Sequence, residues 1–388
     1  MTAIWSRVLS VAAVVFLVAS AAQATPISAT LAGYDLVKVG NPGNAADTDA
    51  NVNRNGYGAV ATEFWIGKNH VTIGQYAEFL NAVAKFDPRG LWRTSMDSVQ
   101  LIRGIERSGS DGSYVYTVVG PNGTNPVGAQ SPANRPITFV SWFDSARFAN
   151  WMANGKVLNP VDQTAALALI DNGAYTLGTA TSGDAPAKNA INPNTGAAPT
   201  FYIPTENEWH KAAYYSPIKV SGTAPGYYLY GTQSDSTPGN GWNGTTALAN
   251  KDLANQVNYR PDNRYAVTGE TTTINDNSNQ NLLTDVGAFT NTYSYYGAFD
   301  MSGNVWDWND LDGFSGSSRG LRGGNWGAPA SDVSSAGRFT LAPSLENHSV
   351  GFRLASPVPE PATLGMTSVG GLCACGWWIL KRRRRART

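Results

Sequence analysis

Residues 321–326 read LRGGNW, and together with the upstream stretch GNVWDW at 303–308 they decide the fold of this chain. The block closes at 351–353, which read GFR. Its glycines, Trp326 and the closing Arg353 are typical of a scaffold. The residues that follow Trp326 at 327–333 read GAPASDV, so this part carries no thiol and no imidazole. The block therefore predicts a fold more clearly than a reaction.

The amino terminus has the three-part order of a secretory signal. Arg7 supplies a charged start, residues 8–19 are an apolar run, and Ala22-Gln23-Ala24 is a cleavage site of the A-x-A type. The run is shorter than the roughly 20 residues of a membrane-spanning helix. The alternative is a buried hydrophobic helix. We expect residues 1–24 to be a signal peptide and the remainder to be exported.

The carboxyl terminus has the composition of a second targeting segment. Residues 358–361 read VPEP, residues 362–380 are apolar, and residues 381–387 read KRRRRAR. The apolar stretch is long enough to cross a bilayer of about 30 Å, and its basic flank favours the cytoplasmic side. Residues 357–388 resemble a PEP-CTERM sorting signal. This resemblance implies processing by an exosortase-type protease and at least transient anchoring in the inner membrane. A plain single-span anchor is the alternative.

Cysteine usage and charge restrict the function classes of the exported part. Cys373 and Cys375 lie inside the apolar stretch, so residues 25–356 contain none. Thiolate metal sites and cysteine nucleophiles are thereby excluded there. Without the two terminal segments, 21 basic residues remain against 27 acidic ones, a net charge of −6. A mildly acidic domain argues against a nucleic-acid partner.

Local patterns predict a loop-rich chain with short elements. Apolar residues recur on one helical face over 73–83, with Thr72 as the N-cap. Ser141 begins a second helix, and Thr205 with Glu208 forms a capping box for a third. Residues 63–67 and 114–119 have strand composition. We expect surface insertions at 158–199 and 268–281, which are rich in small and polar residues.

Six stretches in order resemble the formylglycine-generating enzyme family, also called the sulfatase-modifying factor family. They span about residues 32–355 and include FWIGKNHVT at 64–72, NRPI before SW at 134–142, IPTENEW at 203–209, DVGAF at 285–289 and YG at 296–297 before GNVWDW. The resemblance implies an α+β fold over residues 25–356. Its core would be C-type-lectin-like, of the formylglycine-generating type, with much irregular structure.

The same resemblance bears on copper. Active members of the family carry two cysteines after the RGG-S/N-W segment, which bind copper and activate oxygen. Ala328 and Val333 stand near those two positions here, and Pro329 stands where a histidine is frequent. Alkyl groups cannot serve as the soft ligands that Cu(I) prefers. We therefore expect no copper and no catalytic residue of the family type.

Calcium is the cofactor that the resemblance leaves open. Family members hold structural Ca²⁺ in the loop that matches GNVWDW, and oxygen ligands in a loop suit this ion. A second family site lies near residues 253–256. The candidate Ca²⁺ ligands are Gly303, Asn304, Val305, Asp307, Asn255, Gln256 and Asp276. The alternative is that Asn304 and Asp307 only bond to the backbone.

Other chemistries have weaker support. His70, His210 and His348 are far apart, without a metal-binding spacing. The pair Glu206 and Glu208 could suggest acid–base catalysis, but capping explains Glu208 more simply. Aromatic residues in polar loops, Trp242 among them, suit stacking on sugars or pinning of the loops.

The region after RGGNW is a concave ligand surface in relatives of this fold. By resemblance, the ligand-facing candidates are Asn325, Trp326, Ser331, Asp332 and Arg338. We expect a non-catalytic binding or structural protein, with an envelope polysaccharide or a surface protein as partner. The alternatives are an enzyme of unknown reaction that uses the same cavity, and a retained formylglycine-generating oxidase. A cavity with converging titratable groups beside Ala328 would favour an enzyme.

Overall fold

The structure is a computed structural model that describes residues 26–51, 53–120, 132–156, 163–220, 222–272 and 280–358. The predicted signal peptide, nearly all of the sorting segment and Asp276 lie outside these residues. In the part that is described, no helix has both the length and the apolar composition that crossing a bilayer requires.

Short elements separated by long loops make up an α+β fold, as the sequence predicts. The α-helices of the described residues are α1 (Ile73–Val83), α2 (Ser95–Ser98), α3 (Trp142–Ala153), α4 (Gln163–Asp171) and α5 (Glu206–Tyr214). The strands are β1 (Ser28–Leu31), β2 (Tyr34–Val39), β3 (Phe64–Gly67), β4 (Ile105–Ser108), β5 (Val115–Val118), β6 (Tyr215–Val220), β7 (Ala224–Tyr227), β8 (Trp306–Asn309), β9 (Arg319–Arg322), β10 (Arg338–Leu341), β11 (Val350–Gly351) and β12 (Ala355–Pro357).

The stretches that decide the fold come together in one sheet with strand order β10-β9-β8-β11. Asp307 of β8 lies opposite Arg322 of β9 in an antiparallel register, and Gly351 of β11 lies opposite Asp307 in a parallel one. The second sheet has the order β1-β2-β3-β12. Ile66 of β3 pairs with Val37 on one side and with Ala355 on the other, so this sheet joins the two ends of the described chain.

The predicted helix starts are confirmed, and their cause is local. Thr72, Ser141 and Thr205 are N-caps, and each accepts a hydrogen bond from the backbone of the third helical residue. Gln75, Asp144 and Glu208 bond back to the cap, which completes three capping boxes. Because these bonds are made within four residues, the sequence alone indicates them.

Helix α3 lies in the centre of the main core, and all of its residues are buried. Phe148 packs edge-on against Phe79 of α1 and against Phe352. A helix buried on every face must find partners for its polar side chains. Arg147 pairs with Asp171 at 2.9 Å, and the other polar residues of the helix are bonded to nearby backbone.

The prediction of a surface insertion at 158–199 is wrong for part of that segment. Its helix α4 packs against α3, and Tyr175 is fully buried. The Tyr175 hydroxyl donates to Asp310 at 2.5 Å, and Asn150 of α3 donates to the Tyr175 carbonyl at 2.9 Å. Residues 158–199 are mostly small and polar, but a few of them, such as Tyr175, are buried and complete the core around α3.

Candidate ligand-binding groove

Two glycines turn the chain sharply where β9 ends. Gly323 and Gly324 have φ of +98° and +75°, a region that residues with a Cβ rarely adopt. A Cβ on Gly324 would lie 2.6 Å from Val333, so the backbone here touches the segment that returns after Trp326. The double glycine is therefore required by both conformation and space.

A buried group of charges lies beneath this turn. Glu206, the first residue of α5, accepts from Arg322 Nε at 2.7 Å and from Arg338 Nε at 2.7 Å. Arg322 is completely buried and also donates to the Ser335 carbonyl at 2.8 Å. Glu208 is occupied as well, because it completes the cap of α5 and accepts from the Tyr202 hydroxyl. Both carboxylates thus have structural partners, and they do not form a catalytic pair.

A second buried group is centred on Asp307. Its Oδ2 accepts from Arg353 Nε at 2.7 Å and from Trp209 Nε1 at 2.9 Å. Its Oδ1 faces His70 Nε2 at 3.5 Å. Arg353 also donates to the Gly67 carbonyl at 3.1 Å. The closing GFR thus ties the GNVWDW strand to the other sheet through one carboxylate.

These contacts do not fit a calcium ion at the side chain of Asp307. Its carboxylate accepts hydrogen bonds from the Arg353 guanidinium and the Trp209 indole N–H. These donors occupy the positions that a cation would need. The Asn304 amide oxygen accepts from Asn258 Nδ2 at 3.1 Å and from the Thr284 backbone at 3.2 Å. Among the described residues, no three histidine, cysteine or acidic side chains form a group that could hold a metal. The GNVWDW loop is therefore held by protein donors.

The other calcium candidates are placed as follows. Asn255 has a φ of +56°, and its amide oxygen accepts from Thr232 at 2.6 Å. The Gln256 amide oxygen accepts from the Gly241 backbone at 2.9 Å. Asp276 lies outside the described residues. The second calcium site stays a prediction, which would depend on backbone carbonyls.

Burial keeps two histidines uncharged. It lowers the pKa of His70 and of His210 from 6.5 to about 4, although Asp307 and Asp47 respectively oppose the shift. Nearby arginines, Arg353 for His70 and Arg322 for His210, lower the pKa of each further. Between pH 6.5 and 4 the unfolded chain therefore binds protons that the folded chain rejects, and each histidine removes stability as the pH falls.

We expect His210→Gln to flatten this acid dependence. A shift from 6.5 to about 4 corresponds to about 3 kcal/mol, so wild type should lose about 3 kcal/mol relative to the variant between pH 7 and 4. Burial raises the pKa of Asp144 to about 7 and of Asp300 and Asp310 to about 6, which favours the fold at low pH in both proteins. Urea unfolding across this range measures the difference, with the partly exposed His348→Gln as control. A constant difference would contradict the assignment.

A groove of about 540 Å³ opens directly beside Ala328. Its walls are two loops, and its edge is the segment that follows Trp326. The lining residues are Thr237, Pro238, Gly239, Asn240, Trp242, Tyr259, Arg260, Pro261, Asp262, Arg264, Pro329 and Ala330. Pro329 and Ala330 at this edge belong to the region after RGGNW, where the ligand surface stays a prediction.

Hydrogen bonds hold the walls of the groove together. The Arg260 backbone N–H donates to the Ala328 carbonyl at 3.0 Å, which ties one wall to the edge. Asn240 Nδ2 donates to the Arg264 carbonyl at 2.9 Å, and the Tyr259 hydroxyl donates to the Pro238 carbonyl. The cavity is therefore largely formed before a ligand arrives.

Apolar packing fills the interior behind the groove. Ala328 and Val333 are buried and pack with Tyr230, Val257 and Tyr259. The ionisable side chains that line the groove are those of Tyr259, Arg260, Asp262 and Arg264, without histidine, cysteine, glutamate or lysine. Burial raises the pKa of Tyr259 far above its usual value, so its hydroxyl stays protonated. Such a set can bind and orient a ligand by hydrogen-bond donation and ring contacts.

None of the five predicted ligand-facing residues lines the groove. Trp326 is buried against Tyr265 and His348, which corrects its assignment to the surface. Arg338 is bound to Glu206 and lines a separate cavity of about 260 Å³. The other three are at least partly exposed and bond to their near neighbours: Asn325, Ser331 and Asp332.

Sequence reasoning missed Arg260 and Arg264. They lie in a stretch without a motif, and only folding brings them to the segment after Trp326. Trp242 was one of several aromatic residues in polar loops, and the structure places it, half-buried, in the groove. The one sequence feature that pointed to the groove was thus an aromatic residue, Trp242, among small polar residues.

Comparisons with known proteins give a family and a set of similar structures. The family model of the sulfatase-modifying factor enzyme 1-like domain matches residues 38–358. Treponema denticola variable protein 1 is 19% identical, with a TM-score of 0.44, over 86% of this chain and 100% of that one. PvdO from Pseudomonas aeruginosa is 16% identical, with a TM-score of 0.41, over 86% and 98%. No curated protein matches the chain.

Proposed function

Because the chain belongs to the family of the sulfatase-modifying factor enzyme 1-like domain, we propose that it is a non-catalytic binding protein that uses this scaffold. Its ligand site is the groove between the loops at 237–242 and 259–264. The single observation that carries the proposal is the lining of this groove. It combines a half-buried Trp242 with two arginines, and among the described residues it contains no histidine, cysteine, glutamate or lysine.

The lining also supports binding over the enzymatic alternative. Converging titratable groups beside Ala328 would have favoured catalysis. The groups present are guanidiniums, a single carboxylate and a phenol whose pKa burial raises. Guanidiniums remain protonated at neutral pH and serve as donors of hydrogen bonds. These side chains are best suited to binding a ligand by stacking and by donating hydrogen bonds.

The copper chemistry of active family members does not fit these residues. Ala328 and Val333, which by resemblance stand near the positions of the two family cysteines, carry buried alkyl groups. Residues 25–356 contain no other sulfur ligand of the thiolate type, since both cysteines of the chain are Cys373 and Cys375. Methyl and isopropyl groups cannot ligate Cu(I).

We expect no formylglycine to form when the full chain is incubated with copper, oxygen and a Cys-x-Pro-x-Arg peptide. Without a thiolate pair, the chain has no means to bind Cu(I) and activate oxygen next to the peptide. Mass spectrometry of the peptide measures the outcome, with an active enzyme of the family run in parallel. Any aldehyde product that depends on the folded chain would overturn the non-catalytic assignment.

The partner we propose is a polysaccharide of the cell envelope or its surrounding matrix. The proposal is supported by residues 1–24, which have the order of a secretory signal, and by residues 357–388, which resemble a PEP-CTERM sorting signal. We propose that the first directs export and that an exosortase-type protease processes the second. A groove with an aromatic face and polar loop residues suits sugar rings. Structural Ca²⁺ near Asn255 and Gln256 stays part of the proposal, and thermal unfolding with and without a chelator tests it.

We expect Trp242→Ala to remove glycan binding by the full chain. The variant deletes the aromatic surface of the groove, and stacking of this kind contributes about 1 kcal/mol or more per ring. A glycan array followed by titration of the best ligand should show a loss of affinity of about fivefold or more. Phe314→Ala is the matched control, because Phe314 is a highly exposed aromatic residue outside the groove. Equal binding by wild type and Trp242→Ala would remove the groove as the site.

A further inference from the structure

We infer that the ligand of the groove is an acidic polysaccharide, bound through its carboxylate or sulfate groups by Arg260 and Arg264. This inference rests on the proposed function, because it assigns a chemical class to the ligand of the same site. It depends on the charge of the groove, on the way both guanidiniums are held, and on the absence of strands from its lining.

The groove is more positive than the domain that contains it. Arg260 and Arg264 face a single lining carboxylate, that of Asp262, whereas residues 25–356 carry 21 basic and 27 acidic residues. Within the described residues, neither guanidinium takes part in an ion pair. Among the described lining residues the two guanidiniums outnumber the one carboxylate, and a net positive groove in an acidic domain attracts anions at that place.

Both guanidiniums are held in place by neutral groups. Arg264 lies over the ring of Trp242, with its Cζ 4.7 Å from the ring centroid, and donates from Nη1 to the Gly269 carbonyl. Arg260 lies over Tyr265 at 4.4 Å and donates from Nε to the Asn263 carbonyl at 3.0 Å.

An arginine has five N–H donors, so these bonds leave further donors on each guanidinium for a ligand. Because each planar group is already oriented, less conformational freedom is lost when it binds an oxyanion. Neutral partners also leave the positive charge in place, which a carboxylate partner would have cancelled.

The geometry favours a glycan over an acidic peptide. No lining residue lies in a strand, so the groove offers no sheet edge to which a peptide could add its backbone. Trp242 presents part of its ring, and a Cβ on Gly269 would lie 2.3 Å from that ring, so close packing fixes the indole. A fixed aromatic face beside oriented cations fits a sugar ring that carries an anionic group.

The test compares matched acidic and neutral polymers on the full chain. The pairs are polygalacturonate with its carboxyl-reduced form, and dextran sulfate with dextran; polyglutamate serves as the acidic peptide. We expect at least tenfold tighter binding of one acidic glycan than of its neutral partner. Arg260→Gln and Arg264→Gln should each weaken it at least tenfold, whereas Arg93→Gln, a charge loss at the surface outside the groove, should not. Thermal unfolding confirms that the variants are folded.

Each remaining outcome has a defined meaning. Equal binding of a neutral polymer, lost in Trp242→Ala but kept in both arginine variants, would overturn this inference and leave the proposed function standing. Polyglutamate that binds as tightly as the acidic glycans would overturn the glycan class. No binding of any polymer by wild type would contradict the proposed function itself.

Discussion

Replacing Asp307 by alanine should destabilise the fold by about 3–5 kcal/mol, the loss usual when one partner of a buried ion pair is removed. Arg353 is completely buried, and its Nε donates to Asp307 at 2.7 Å. The variant leaves this guanidinium without a carboxylate and the Trp209 indole N–H without an acceptor. Since domains are stable by only about 5–15 kcal/mol, this loss would remove a large part of the stability.

Urea unfolding of the full chain measures this loss, with Asp111→Ala as the control for an exposed carboxylate. A double variant, Asp307→Leu with Arg353→Met, should recover part of the stability, because it removes the buried charge together with its partner. A loss below about 1 kcal/mol would contradict the account. So would a chelator-dependent shift that wild type shows and Asp307→Ala lacks, since it would place a cation at this carboxylate.

Replacing Glu206 by glutamine should also cost about 3–5 kcal/mol, because Arg322 has no exposed surface and loses its counter-ion. The loss is expected to be greater than that of Arg338→Gln. The side chain of Arg338 is 25% exposed, so water can replace part of what Glu206 provides.

The two variants form a matched pair, because each removes one charge from the same group. Urea unfolding of both is the measurement. Equal losses of stability in the two variants would show that burial of the arginine does not determine the size of the loss. Glycan binding by folded Glu206→Gln should match that of wild type, since Glu206 does not line the groove.

Local features of the fold could be predicted from the sequence. The caps at Thr72, Ser141 and Thr205 depend on bonds that span three residues, so the residue types at that spacing were sufficient. The overall α+β architecture was predicted from the six stretches that resemble the family and follow its order. In contrast, the segment at 158–199 was assigned to the surface by its composition, although Tyr175 reaches the core.

The charged interior and the groove could not be predicted in this way. Glu206 and Arg322 are separated by 116 residues, and Asp307 and Arg353 by 46. No spacing rule connects such residues, because only the tertiary packing of α5 and of the strands places them together. The resemblance predicts a ligand surface after RGGNW, but most side chains that line the proposed groove come from loops without a motif. Arg260 and Arg264 are ordinary surface arginines until the fold places them beside Pro329.

Hydrogen exchange of the full chain, with and without an acidic polysaccharide, tests the central claim most directly. Each amide reports burial by the ligand at its own position. We predict slower exchange over 237–242 and 259–264, with little change in the central helix α3. Protection confined to the cavity beside Arg338, or unchanged exchange over both loops with bound polysaccharide, would contradict the assignment of this groove as the ligand site.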